Sequence, residues 1–141
     1  MEIRSRPRSE APHGIFFRAA GELFDALWKS DVGEPRQTYD AQNFDAVILI
    51  ALAAAAGGSS DSASIAENLQ AVSKGGTKYT FENLSEAVAA AAAGEDIDYE
   101  GASGPIDFDD AGDPTSANYS IWSYTDGKEV GTGEVIPATV E

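Results

Sequence analysis

Along the first half of the chain, apolar positions recur at three- and four-residue intervals. Between Ile15 and Ser30 one stripe joins Phe16, Ala20, Leu23 and Leu27 and another joins Phe17, Phe24 and Trp28, which predicts an amphipathic helix. Gly33 and Pro35 stop it. A second helix, capped by Thr38 or Asp40, is expected to run through Phe44 and the apolar segment Ala46 to Ala56 and to end at Gly57-Gly58. Because that helix is apolar on every side, it belongs at the centre of the fold. Ser59 to Ser62 supply cap candidates for a third helix, with Ile65, Leu69 and Val72 on one face before Gly75-Gly76. Thr80 caps a fourth, which points Phe81, Leu84, Val88 and Ala91 inward and ends before Gly94.

After Gly94 the residues change to Gly, Asp, Pro and aromatics, the vocabulary of turns and short strands. Tyr119 to Tyr124 is the best strand, with Tyr119 and Ile121 on one face and Trp122 and Tyr124 on the other, both faces covered. Asp126-Gly127 signals a two-residue hairpin that returns the chain through Val130 toward Val135 and Ile136. The pattern is therefore α/β, a helix-rich first half followed by short strands and a C-terminal hairpin. Residues 1–13 lack periodicity and read as a disordered leader, which leaves 14–141 as the folded part.

With 141 residues the chain has the length of one domain. Its 24 acidic against nine basic residues give a net charge of −15, a surface that repels phosphate backbones and excludes nucleic acid as a natural partner. At ~1 M salt the screening length falls to about 3 Å and this self-repulsion is removed, so the charge points to a salt-adapted source. Cysteine is absent, which excludes disulfides, thiolate metal sites and a cysteine nucleophile. The N-terminal arginines are followed by no apolar stretch of signal-peptide length, and the run Ala46 to Ala56 is well short of the ~20 residues that span a bilayer.

Few residues offer catalytic chemistry. The one histidine, His13, lies in the leader, so a Ser-His arrangement has no base. Ser103, within Gly101 to Gly104, reads as a turn residue and not as a nucleophile. Neither a dinucleotide-binding nor a phosphate-binding glycine pattern occurs, and no cofactor is expected. The cluster Asp107, Asp109, Asp110 and Asp113 fits a calcium loop only in part, since Ala111 fills a ligand position and Asn118 stands where a bidentate Glu belongs. It reads as a solvated turn whose aspartates hydrogen-bond their own backbone. Tyr119, Trp122 and Tyr124 line either a ligand groove or, as aromatic residues in strands more often do, a core.

Several short motifs in one order carry a resemblance: Phe44-Asp45-Ala46 opening the alanine-rich run, Gly101 to Gly104, Phe108-Asp109, Gly112-Asp113, Tyr119 to Trp122, and Asp126-Gly127. From Phe16 onward the chain resembles the C-terminal portion of type I periplasmic binding proteins, specifically solute-binding proteins of branched-chain amino acid and amide ABC importers. The resemblance implies part of one lobe of an incomplete clamshell, no enzymatic activity, and an extracytoplasmic parent protein. It implies an amino acid or amide solute, held only when the missing lobe is present, and an ABC permease as partner. It places Tyr39, Asn43 and Phe44, at the start of the second helix, nearest the solute.

Overall fold

The computed structural model describes residues 13–17 and 21–139. Its elements are β1 (His13–Phe17), α1 (Glu22–Asp31), α2 (Asp40–Gly57), α3 (Ser62–Leu69), β2 (Thr77–Thr80), α4 (Leu84–Ala92), β3 (Ile97–Glu100), β4 (Ser116–Thr125) and β5 (Lys128–Thr139). Mixed helix and strand in this order form the α/β class that the periodicities predict. Residues 1–12 of the expected leader lie outside the described residues, and His13 already belongs to β1.

α2 is the spine of a helical layer, packing against both α3 and α4. Alanines at the contact let the helix backbones approach closely: Ala53 of α2 and Ala87, Ala90 and Ala91 of α4 are buried together with Leu49, Leu52, Val72, Ile97 and Tyr99. Full burial of a Leu52-sized side chain contributes roughly 1.5–3 kcal/mol. Gly57 makes the α2–α3 contact possible, because a Cβ there would stand 2.2 Å from Ser64 Oγ. A smaller cluster forms where α1 meets α2. Phe24 lies 5.1 Å from Phe44 and 5.7 Å from Phe81, ring centre to ring centre, in tilted and edge-on arrangements.

Several sequence expectations need correction. The helix predicted from Ile15 begins only at Glu22, because Ile15 to Phe17 pair with β4 in the register Ile15–Ile121 and Phe17–Tyr119. Aromatic and β-branched residues accept that role when a partner strand is present; Ala20, of the same stripe, lies outside the described residues. Neither Thr38 nor Asp40 caps α2. Tyr39 occupies the cap position in a left-handed conformation (φ 70°), and Asp40 is the first helical residue, its carboxylate accepting from the Gln37 N–H. α2 is not enclosed on every side, since Val47 is 66% exposed and Ile50 is open too. That helix is long and apolar enough to cross a membrane by length and composition alone; one of its faces is buried against α3 and α4.

Thr80 does cap its segment, accepting from the Glu82 N–H while Asn83 reaches back to the Thr80 N–H. Phe81–Asn83 are wound as a 3₁₀ turn, however, before α4 begins. Each 3₁₀ residue turns about 20° more than an α-helical one, so the phase has shifted by roughly 60° on entry to α4. Val88 therefore faces solvent, and Ala87 and Ala90 join Ala91 inside.

Two strands escape the sequence reading. β2 and β3 have four residues each and pair in parallel, from Thr77–Ile97 to Thr80–Glu100. β3 is bound on its other side through the Tyr99 N–H, which donates to Val72 O. The C-terminal strands form a separate antiparallel sheet in the order β1-β4-β5. Its hairpin turns at Asp126 (φ 51°) and Gly127 (φ 76°), the two consecutive left-handed residues of a type I′ turn, as the Asp-Gly pair predicts. A register irregularity lies between Ser120 and Trp122. The expected cover on both faces of β4 is incomplete: Tyr119 to Trp122 are half-buried and Tyr124 is exposed.

Candidate functional site

The best-defined polar constellation joins two motifs 54 residues apart in the chain. Asp45, 1% exposed, comes from the second turn of α2. Its Oδ1 accepts from the Tyr99 hydroxyl at 2.8 Å and from the Ala102 N–H at 2.8 Å, and its Oδ2 accepts from the Ser103 N–H at 2.7 Å. One carboxylate thereby satisfies the end of β3 and the turn that follows. Gly101 is required beside it, because an added Cβ would stand 2.4 Å from Ile106 Cδ1 and 2.6 Å from Asp45 Oδ2. The Tyr99 hydroxyl is pushed well above the ordinary tyrosine pKa, first by burial, then by the Asp45 charge it donates to. Ser103 is the turn residue that the sequence predicts, and its N–H is engaged.

From that anchor the chain continues over α2 as residues 105–115, fastened at several points. Ser73 Oγ accepts from the Phe108 N–H at 3.2 Å, and Gln70 donates to Asp109 O. Asp109 Oδ1 accepts from the N–H groups of Ala111 (2.8 Å) and Asp113 (2.9 Å), which is the backbone-bonded aspartate turn expected from the sequence. The bond from Asp113 N–H, with those from Ala111 and Gly112, holds the Asp109 carboxyl below its usual pKa. Among the described residues, no group of three or more His, Asp or Glu side chains is placed to hold a metal ion.

A second charged group lies on the β2–β3 pair. Lys78 forms ion pairs with Glu100 and, at 3.4 Å, with Asp98. Burial raises the Asp98 pKa against the pull of Lys78. The bond to Glu100 raises that of Lys78.

Two clefts open at the N-terminus of α2. One, of about 430 Å³, is almost entirely apolar and lies between α2 (Leu49, Ile50) and the fastened loop (Ile106, Phe108). The other, of about 570 Å³, lies between the segment from α1 to Tyr39 and the β4–β5 sheet, with Trp28 and Trp122 among its walls. Tyr39 lines both. Asn43 is exposed and lines neither of these two, and Phe44 packs in the aromatic cluster with Phe24 and Phe81. Of the three residues expected near a solute, the structure brings Tyr39 to the clefts and leaves the other two outside them. Sequence reasoning missed Asp45, although a lone carboxylate inside an apolar helical run is itself the signal of a buried polar anchor.

An apolar helical layer, a loop tied across it by a buried carboxylate and clefts at the helix N-terminus define part of an α/β ligand-binding lobe. The family model described as "Receptor family ligand binding region" matches residues 17–127, and the chain belongs to that family. The family is a type I periplasmic-binding-protein-like one, whose members bind small-molecule ligands and are non-enzymatic. Neither a curated protein nor a solved structure gives a significant match.

Proposed function

We propose that this chain forms part of one lobe of an extracytoplasmic solute-binding protein serving an ABC-type uptake system, with branched-chain amino acids or related amides as solutes. The observation that carries the reading is the apolar cleft beside Tyr39, walled by the Asp45-anchored loop inside the family-matched region. Such a cleft suits a branched alkyl side chain, and an enclosing second lobe would supply the polar contacts that fix the solute's charged ends. Closure then follows from contacts that exist only when both lobes touch the solute. The high negative charge fits a salt-adapted source for the same protein.

The isolated chain is expected to give no measurable heat with leucine, isoleucine, valine or acetamide in calorimetry; micromolar binding would refute the half-site reading. Joined to an amino-terminal lobe from the same locus, it is expected to bind one of them and to lose about tenfold in affinity on Tyr39→Ala, the scale of one lost aromatic contact. Adjacent permease and ATPase genes are expected on the chromosome. A second reading, an interaction or sensor module of the same fold without a transport role, draws on the open apolar residues Val47 and Ile50 of α2. A locus without transporter genes would favour it.

A further inference from the structure

The larger cleft carries chemistry that the solute-binding reading does not use. The molecule bears a net charge of −15, yet in this one cleft two cations, Lys29 and Arg36, balance two acids, Asp25 and Glu34. Both tryptophans of the chain, Trp28 and Trp122, line it as well, together with Tyr39. The indole N–H of Trp28 donates to Glu34 O at 3.0 Å, which fixes that ring as a wall. Tyr39 is held there in a left-handed conformation that a bulky residue adopts only under constraint.

The guanidinium of Arg36 is set in place from two sides. It stacks 4.9 Å above the Phe24 ring and donates from Nη1 to Asp25 Oδ1 at 2.5 Å. Its Nε is buried and has no hydrogen-bond partner among the described residues. Being sealed from solvent, that Nε is out of a solute's reach, and with Nη1 on Asp25 the edge left for a ligand is Nη2. The Asp25 side chain is 43% exposed, so it neutralises Arg36 only in part. Lys29 makes no ion pair among the described residues. Lys29 and Glu34 are both exposed, where solvent screens each charge, so the partly buried Arg36 is the main cation of the cleft.

The geometry points to a binding site for a small aromatic carboxylate in this cleft, with the carboxylate on Arg36 and Lys29 and the ring between Trp28, Tyr39 and Trp122. A charge-assisted N–H bond from the guanidinium, with the Lys29 ammonium beside it, selects an anion over a neutral amide of the same shape. Aromatic walls select a flat ring by offset or edge-on contact. The site belongs to this chain alone and does not depend on a second lobe or on the transport reading.

The two tryptophans make the test direct, because the indole emission of the whole chain arises at this cleft. Titration with phenylacetate is expected to change that emission saturably, with a dissociation constant on the order of 1 mM for so small a ligand. Phenylacetamide and phenylethylamine are expected to bind at least about tenfold more weakly, the loss that follows when a charge-assisted pair is removed. Arg36→Gln should abolish the anion preference. Lys29→Gln, at an exposed position, should weaken phenylacetate about threefold and leave the far-ultraviolet circular dichroism unchanged. Equal binding of phenylacetate and phenylacetamide would overturn the proposal, as would no saturable change with either. If Arg36→Gln fails to fold, an unchanged phenylacetate affinity in Lys29→Gln overturns it alone. Acetate, run in parallel, separates ring recognition from simple anion binding: equal affinity for acetate overturns the aromatic part.

Discussion

In the helical layer Leu52, Ala53, Ala87 and Tyr99 are sealed from solvent, whereas in the β1-β4-β5 sheet Val130, Val135, Ile136 and Tyr124 stand open. Both regions carry apolar residues at the spacing of their element. The difference lies in what each element meets. α2 meets α3 and α4 and is bonded through Asp45 to Tyr99 of β3 and the turn after it, while among the described residues β5 is an edge strand with a partner on one side only. The helical layer is further locked by Asp45, whose three hydrogen bonds span 54 to 58 residues of chain. The sheet is held mainly by its own ladder and by the type I′ turn. Apolar periodicity therefore states which face seeks cover, and a distant segment decides whether it is covered.

The comparison is broken most severely at Asp45. Asp45→Ala would leave the Tyr99 hydroxyl and the Ala102 and Ser103 N–H groups buried without acceptors, and hydrogen bonds to a charged group are worth about 1.5–3 kcal/mol each. A loss of at least about 3 kcal/mol in denaturant unfolding is expected, with the turn at 101–104 losing amide-exchange protection first. A change below about 1 kcal/mol would show that the layer does not hang on this carboxylate.

Tyr99→Phe removes one of those bonds and is expected to cost about 1–2 kcal/mol near neutral pH. It also isolates a pH effect. The folded-state pKa of Tyr99 is raised above its unfolded value, so its contribution is fully present below the ordinary tyrosine pKa of about 10 and is lost as pH rises toward the folded value. In that alkaline window stability should fall by about 1.4 kcal/mol per pH unit on account of this group. The Phe variant should lose that part of the slope. Parallel alkaline profiles for the two proteins would contradict the Asp45–Tyr99 account.

The smallest effect is expected in the sheet. Val135 is 53% exposed on β5, so Val135→Thr keeps the β-branched shape and is expected to change stability by less than about 0.5 kcal/mol. A loss above about 1.5 kcal/mol, measured by thermal melting, would mean that this face is covered in solution.

Much of the fold was legible because it is local. The span of α2, the Thr80 cap, the Asp126-Gly127 hairpin and the Asp109 turn each follow from neighbouring residues acting on one another, whereas α3 stops at Leu69 and Val72, expected on its face, enters the core from the turn beyond it. Of the three residues expected near a solute, Tyr39 is the one that lines the two clefts. Asn43 and Phe44 share its helix turn but point elsewhere, and Arg36, Trp28 and Trp122 meet through a cleft between segments some 85 residues or more apart, a distance no periodicity encodes.

By itself, then, the sequence determined the helix periods, the turn chemistry, the acidic surface and the ordered motifs by which the family is recognised. Only the tertiary structure decided that Ile15 to Phe17 are strand and not helix, that α2 keeps an open face, and that Asp45 lies under the turn after Tyr99. The physical reason is the same in each case. A strand needs a partner, burial needs a facing surface, and a buried carboxylate needs donors, and all three arrive from residues far along the chain.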